Sequence, residues 1–193
     1  MRRLPLLLVL LLSACSGGSP APEVITPPSP EKDVLEAGKG DLPLTAGTHY
    51  SPVDFVPALA ITVPEGWSSS HRGDDAFDLG KDGVIVVFDT PPGDSVAPVL
   101  AALRAKAPHA VAVTGTLDDQ PATGFDATGG TGQIVASPSG TLSLDYAPAQ
   151  RVRVLGVDVE GVPLLAVVLV PDGRQWATAL PEATALLAGV HPG

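Results

Sequence analysis

Arg151–Val170, RVRVLGVDVEGVPLLAVVLV, is the stretch that decides the fold. Two runs rich in β-branched residues, Arg151 to Val159 and Val162 to Val170, flank Glu160-Gly161. That arrangement predicts an antiparallel hairpin with a two-residue turn. Leu164 to Val170 is apolar at every position, which marks a strand covered on both faces and places it at the centre of a sheet. Val152 and Val154 have the opposite parity to Val157 and Val159, so a bulge near Leu155-Gly156 is expected to bring all four to one face.

The same pattern recurs upstream. Leu59 to Val63, LAITV, predicts a strand, and Pro64-Glu65-Gly66 a type I turn with Pro second and Gly fourth. Ala76 to Leu79 and Val84 to Phe88 flank Gly80-Lys81-Asp82-Gly83 as a second hairpin. Val111 to Leu117 alternates as a strand, and Phe125 to Thr128, Gln133 to Val135 and Leu142 to Tyr146 are weaker strand candidates.

Two segments have helical period. Ser95 to Ala107 puts Val96, Val99, Leu100, Leu103 and Ala107 on one face, with Asp94 or Ser95 as cap and Pro108 as stop. A terminal helix is expected to bury Trp176, Leu180, Ala183, Leu187 and Val190, with Pro181 kinking or restarting it. Mostly strands, with one crossing helix and one terminal helix, predict an α+β domain: an antiparallel sheet with helices packed on it.

The chain upstream of this domain has a different texture. MRRLPLLLVLLLSAC, residues 1–15, has basic Arg2 and Arg3 followed by an apolar run from Leu4 to Leu12. The run is too short to span a bilayer but suits the core of a signal peptide. Leu12-Ser13-Ala14-Cys15 resembles the lipobox of bacterial lipoproteins, in which the cysteine becomes the first mature residue and carries a diacylglyceryl group. Cys15 is the single cysteine, so an exported chain has no internal disulfide. The resemblance implies cleavage of residues 1–14, palmitate-type acylation of Cys15, and attachment to the outer face of the bacterial cytoplasmic membrane. Two acyl chains suffice for stable anchoring, at about 0.8 kcal/mol per buried CH₂.

Residues 15–40 are expected to form a disordered tether, since Pro20, Pro22, Pro27, Pro28 and Pro30 exclude regular structure. Val34 to Ala37 has the pattern of a helical turn at most. The globular domain is placed at 41–193, a length that suits one core.

Charge narrows the partners. The chain has 11 basic and 21 acidic residues; loss of Arg2 and Arg3 leaves 9 and 21, a net charge of −12 in place of −10. That excess argues against nucleic acid and against docking on anionic headgroups.

Enzyme and cofactor signatures do not assemble along the chain. His49, His71, His109 and His191 show no HxH or HExxH spacing, and Asp74, Asp75, Asp78 and Asp82 depart from an EF-hand loop. Thr128 to Gly132 is glycine-rich without GK[ST], and no serine sits in G-x-S-x-G. The expectation is a domain with no metal, no cofactor and no catalysis. Arg72-Gly73-Asp74 spells an adhesion tripeptide in a region expected to be a loop, a weak binding candidate. Trp67 and Trp176 have the residue type of binding hot spots, but each stands where a core element begins or ends, so packing is the expected role.

Val63-Pro64-Glu65-Gly66-Trp67 after an apolar strand resembles the opening of the Mog1/PsbP-like domains of actinobacterial lipoproteins. Ala46 to Tyr50 with Phe55, the later helix, Gln120 to Asp126, the 151–170 hairpin and Leu180 to Ala183 follow in matching order, so the resemblance covers about residues 42–190. It implies an αβα sandwich that acts as a protein-binding or scaffolding module for an envelope partner. Capture of a small or lipidic ligand, in an apolar cavity between sheet and helix, is the alternative.

Overall fold

A computed structural model describes residues 33–35, 42–73, 76–107, 109–128, 132–134, 144–146, 151–170 and 176–193. In chain order the strands are β1 Leu42–Pro43, β2 Gly47–Tyr50, β3 Leu59–Val63, β4 Ser68–Gly73, β5 Ala76–Lys81 and β6 Val84–Asp89. Helix α1, Val96–Lys106, leads to β7 Val111–Leu117, β8 Gln120–Thr128, β9 Gly132–Ile134, β10 Leu144–Tyr146, β11 Arg151–Val159 and β12 Val162–Val170. Helix α2, Trp176–Leu187, and β13, Val190–Pro192, close the chain. The fold is α+β: an eight-stranded antiparallel sheet in the order β1-β4-β5-β6-β12-β11-β8-β7, a small sheet β13-β3-β2, and the β9–β10 pair.

The β11–β12 hairpin forms with the predicted boundaries, in continuous register from Arg151↔Val170 to Val159↔Val162. Glu160 and Gly161 both take positive φ, the backbone that a two-residue hairpin turn needs. The expected bulge at Leu155-Gly156 is absent from this ladder. The parity change has another cause, which is that both faces of β11 are covered. Val152 and Val154 pack under α1, while Leu155, Val157 and Val159 enter the core on the opposite face. A regular strand therefore serves two cores.

Strand β12 sits between β6 and β11, and nearly all of it is buried, as a run apolar at every position requires. On one face α1 lays Val96, Leu100 and Leu103 against Val87, Val154, Leu165 and Val167. Ser95 is the N-cap, its hydroxyl oxygen accepting from Ala97 N–H. The helix start is fixed to β11: Val96 N–H donates to Asp158 Oδ1 at 2.6 Å, and Ser95 Oγ–H donates to Asp158 Oδ2 at 3.1 Å. A carboxylate there also meets the positive end of the helix dipole. Gly156 permits this approach, because a Cβ on it would stand 2.5 Å from Val96 Cγ2.

The other face is covered by α2 and the small sheet. Ile61, Leu59 and Val63 of β3 join Leu186 and Leu187 of α2 against Val86, Phe88, Leu164, Ala166 and Val168. The buried residues of α2 are Ala179, Ala183, Leu186 and Leu187; Leu180 and Trp176 are only partly buried. Pro181 lies inside a continuous helix. Val190 is buried, but as the first residue of β13, which pairs with β3. Ala183, Leu187 and Val190 of the expected stripe are thus buried, Ala179 and Leu186 join them in place of Trp176 and Leu180, and the stripe ends in a strand.

Other expectations change in detail. The β5–β6 turn is two residues, Asp82-Gly83, both at positive φ. Gly66 is at φ +84, so it stands third in the turn after β3, where only glycine is unstrained, and not fourth. Strand β4 replaces the loop expected before Phe77 and pairs with β5. Strand β8 begins at Gln120, five residues ahead of the expected start.

The domain boundary also moves. Val34 forms a parallel bridge with Tyr50 of β2, and Leu35 is 4% exposed, within the core. Asp33–Leu35 belongs to the fold, not to a tether ending at residue 40, and Val34 is extended where a helical turn was expected.

Candidate functional site

The segment Asp33–Leu35 acts as a strap along the β2 edge of the small sheet. Leu35 N–H donates to Tyr50 O and Tyr50 N–H donates to Asp33 O, each at 2.8 Å. Two backbone bonds around Tyr50 add the strap to β2 as an extra short strand. Leu35 holds it by burial, which contributes about 1.5–3 kcal/mol toward the roughly 1–2 kcal/mol per residue that ordering the backbone costs; the backbone bonds to Tyr50 add to it.

Between the strap and the stretch Leu42–Thr45 lies a cavity of about 360 Å³. Its apolar wall includes Leu35, Leu42 and Leu44, and its polar side carries His49, Asp33 and Ser69. His49 and Ser69 are 3% and 5% exposed, while the Asp33 side chain is 63% exposed at the rim. The ring of His49 has an assigned orientation. Its Nε2 lies 2.8 Å from the Thr45 carbonyl oxygen, which can only accept, so Nε2 carries a hydrogen. Nδ1 lies 3.2 Å from Asp33 Oδ2 without closing a hydrogen bond of good geometry. A neutral ring therefore turns a lone pair toward a carboxylate; a doubly protonated ring turns an N–H toward it.

A second polar cluster lies at one end of the large sheet. Asp118 and Asp119 form the β7–β8 turn, both at positive φ. Asp119 meets His191 Nδ1 of β13 at 2.9 Å. Asp118 is 1% exposed, and neither of its carboxylate oxygens has a closed hydrogen bond. Burial pushes this carboxyl above its usual range; the charges of Asp119 and Glu160 add to that, and the Gln120 side chain and His191 oppose it.

The singled-out residues fall as follows. Leu12, Ser13, Ala14 and Cys15 lie outside the described residues, as does Asp74. Arg72 and Gly73 end β4 instead of occupying a loop, at a register shift between His71 and Gly73. Trp67 is 2% exposed in the main core, and its carbonyl accepts from Leu44 N–H at 2.9 Å. Trp176 is partly buried, with Arg153 5.9 Å from its ring centroid; Arg153 also grips Asp126 with two bonds of 2.7 and 2.8 Å. No group of three or more His, Cys, Asp or Glu suited to a metal ion occurs among the described residues. No helix among them is long and apolar enough to cross a membrane.

The structure does not bring Trp67 and Arg72-Gly73 into one surface site, because Trp67 is enclosed. Sequence reasoning missed the strap and the role of His49. The available signal was weak: Val34-Leu35 is one apolar pair in a proline-rich stretch that also holds Val24-Ile25.

No protein-family model matches the chain, and no curated protein matches it. A crystal structure of a protein from Bacteroides thetaiotaomicron is similar to it at 11% identity and a TM-score of 0.44. The alignment covers 70% of this chain and 45% of that one, so the chain spans less than half the length of that protein.

Proposed function

We propose that the chain is an exported lipoprotein, anchored through Cys15, whose Mog1/PsbP-like domain is a non-catalytic binding or scaffolding module for an envelope protein. The observation that carries this reading is the strap. The lipobox-like Leu12 to Cys15 is followed by a proline-rich stretch that ends, at Asp33–Leu35, in a segment paired with β2 and buried at Leu35. A chain that enters the fold this way passes any pull from a membrane anchor into a sheet rather than into a loose end. The stretch from Cys15 to Asp33 allows a standoff on the order of 50 Å at about 3.1 Å per residue.

Crosslinking in intact cells followed by pulldown tests the reading. A partner should be recovered with the anchored protein and lost with Cys15→Ala. Equal recovery with both would remove anchoring from the function.

A second reading is favoured by the cavity beneath the strap: capture of a small, largely apolar ligand with a polar group for His49. The ligand site in this reading differs from the expected sheet–helix cleft, where Val96, Leu100 and Leu103 pack against the sheet. Native mass spectrometry of the protein purified from its own membrane would show a bound mass, lost with Leu44→Trp, which fills the cavity.

A further inference from the structure

The cavity bounded by the strap combines an apolar wall with a single sign of charge. Leu35, Leu42 and Leu44 supply the apolar surface, and Asp33 supplies a carboxylate at the rim. Among the described residues of the lining there is no lysine and no arginine, so the His49 ring is the one basic group beside that carboxylate. The ring does not compensate it. Nε2 gives its hydrogen to the Thr45 carbonyl at 2.8 Å, and Nδ1, buried and 3.2 Å from Asp33 Oδ2, closes no hydrogen bond. A lone pair and a carboxylate oxygen, both acceptors, therefore stand side by side with no protein donor between them among the described residues.

We propose that this cavity takes a small apolar molecule ending in a primary ammonium group, with the stem among the leucines and the head on Asp33. The proposal rests on the ligand reading of the same cavity and names its chemistry. An ammonium has three N–H donors and no acceptor, the complement of a wall whose polar groups accept. Its bonds to a carboxylate are charge-assisted and so stronger than those of a neutral head. A carboxylate ligand would meet Asp33 as a like charge. A neutral alcohol would leave the charge of Asp33 uncompensated.

The placement of Asp33 fits a cationic head. Its side chain is 63% exposed, so the ammonium stays partly hydrated at the mouth while the stem enters, and the cost of burying a charge is avoided. The volume of about 360 Å³ lies at the low end of the ~300–1,000 Å³ usual for ligand sites. It suits a short alkyl chain or one ring, not a diacyl lipid. The net charge of −10 draws cations to the protein as a whole.

Methyl NMR of the full chain in lipid nanodiscs, titrated at neutral pH with hexylamine, 1-hexanol and hexanoate, tests this. The three share one stem and differ in the head: cation, neutral group, anion. Shifts should appear at the methyls of Leu35, Leu42 and Leu44, with hexylamine bound roughly tenfold or more tighter than 1-hexanol and hexanoate weakest. Asp33→Asn should erase the preference for hexylamine over 1-hexanol. Leu44→Trp, which fills the cavity, should abolish the shifts at Leu35 and Leu42. Equal binding of hexylamine and 1-hexanol, or a preference indifferent to Asp33→Asn, overturns the ammonium assignment and leaves the ligand reading standing. No shift at these methyls with any of the three overturns both.

Discussion

His49 Nδ1 stands 3.2 Å from Asp33 Oδ2 while Nε2 is committed to the Thr45 carbonyl. This pair ties a side chain of β2 to the strap that runs beside it. With Nε2 bound to the Thr45 carbonyl, a singly protonated ring presents a lone pair to the carboxylate. Asp33→Asn replaces one carboxylate oxygen with an N–H donor. Its expected effect is a gain of about 0.5–1 kcal/mol in urea unfolding, the usual net value of a hydrogen bond. A clear loss would show that the carboxylate itself strengthens the contact.

Leu35 extends the argument from the strap's edge to its anchor point. Leu35→Ala is expected to cost about 2–5 kcal/mol, as for other buried leucines. A chain beginning at Asp41 should lose at least as much relative to one beginning at Ser16, because the Tyr50 backbone bonds go as well. Urea midpoints of the three proteins check both statements. Equal midpoints would return Asp33–Leu35 to the tether.

Much of the fold was legible because its central strands are long and unambiguous. LLAVVLV, rich in β-branched residues and preceded by a turn, reads as a doubly covered strand, and Glu160-Gly161 as the turn that brings the chain back. What escaped was short or polar. Strand β4, SSSHRG, has no apolar residue, so its pairing comes from β5 and not from its own pattern. Strand β13 is three residues long and reads as a continuation of α2. The bulge expected at Leu155-Gly156 came from assuming one buried face, whereas β11 has two. Of the candidate site, His49 was visible only as an isolated histidine. Its partners Asp33 and Thr45 become neighbours through tertiary pairing that no local period encodes.

Trp67 fills the core where β3 turns away from the small sheet, and its 2% exposure makes it a packing residue. Trp67→Ala is expected to cost about 3–5 kcal/mol, a large share of the roughly 5–15 kcal/mol available to a domain. The denaturant midpoint should drop sharply, or the domain should fail to fold. A change below about 0.5 kcal/mol, as for most surface substitutions, would contradict the placement.

Asp118 gives a pH dependence with a definite sign. Its carboxyl is raised above the ordinary value of 3.8, chiefly by burial. The folded state therefore holds that proton more tightly than the unfolded state. The resulting stability is complete below pH 3.8 and is lost as the pH rises through the folded value. Asp118→Asn keeps a residue tolerant of the left-handed turn at φ +53 and removes the buried charge. It should raise stability at pH 7 by about 1 kcal/mol, with the gain shrinking as the pH falls toward 3.8. Urea melts at pH 7 and pH 4 give the comparison; a larger gain at pH 4 would reverse the sign.

The anchor at Cys15 is the centre of the functional account, and intact mass spectrometry of the membrane-extracted protein tests it most directly. The account predicts a chain that begins at Cys15, lacks residues 1–14, and carries the added mass of a diacylglyceryl group. It also predicts that Cys15→Ala abolishes both the cleavage and the added mass. An unmodified cysteine, or a Cys15→Ala protein with the same lipid mass, would contradict the account.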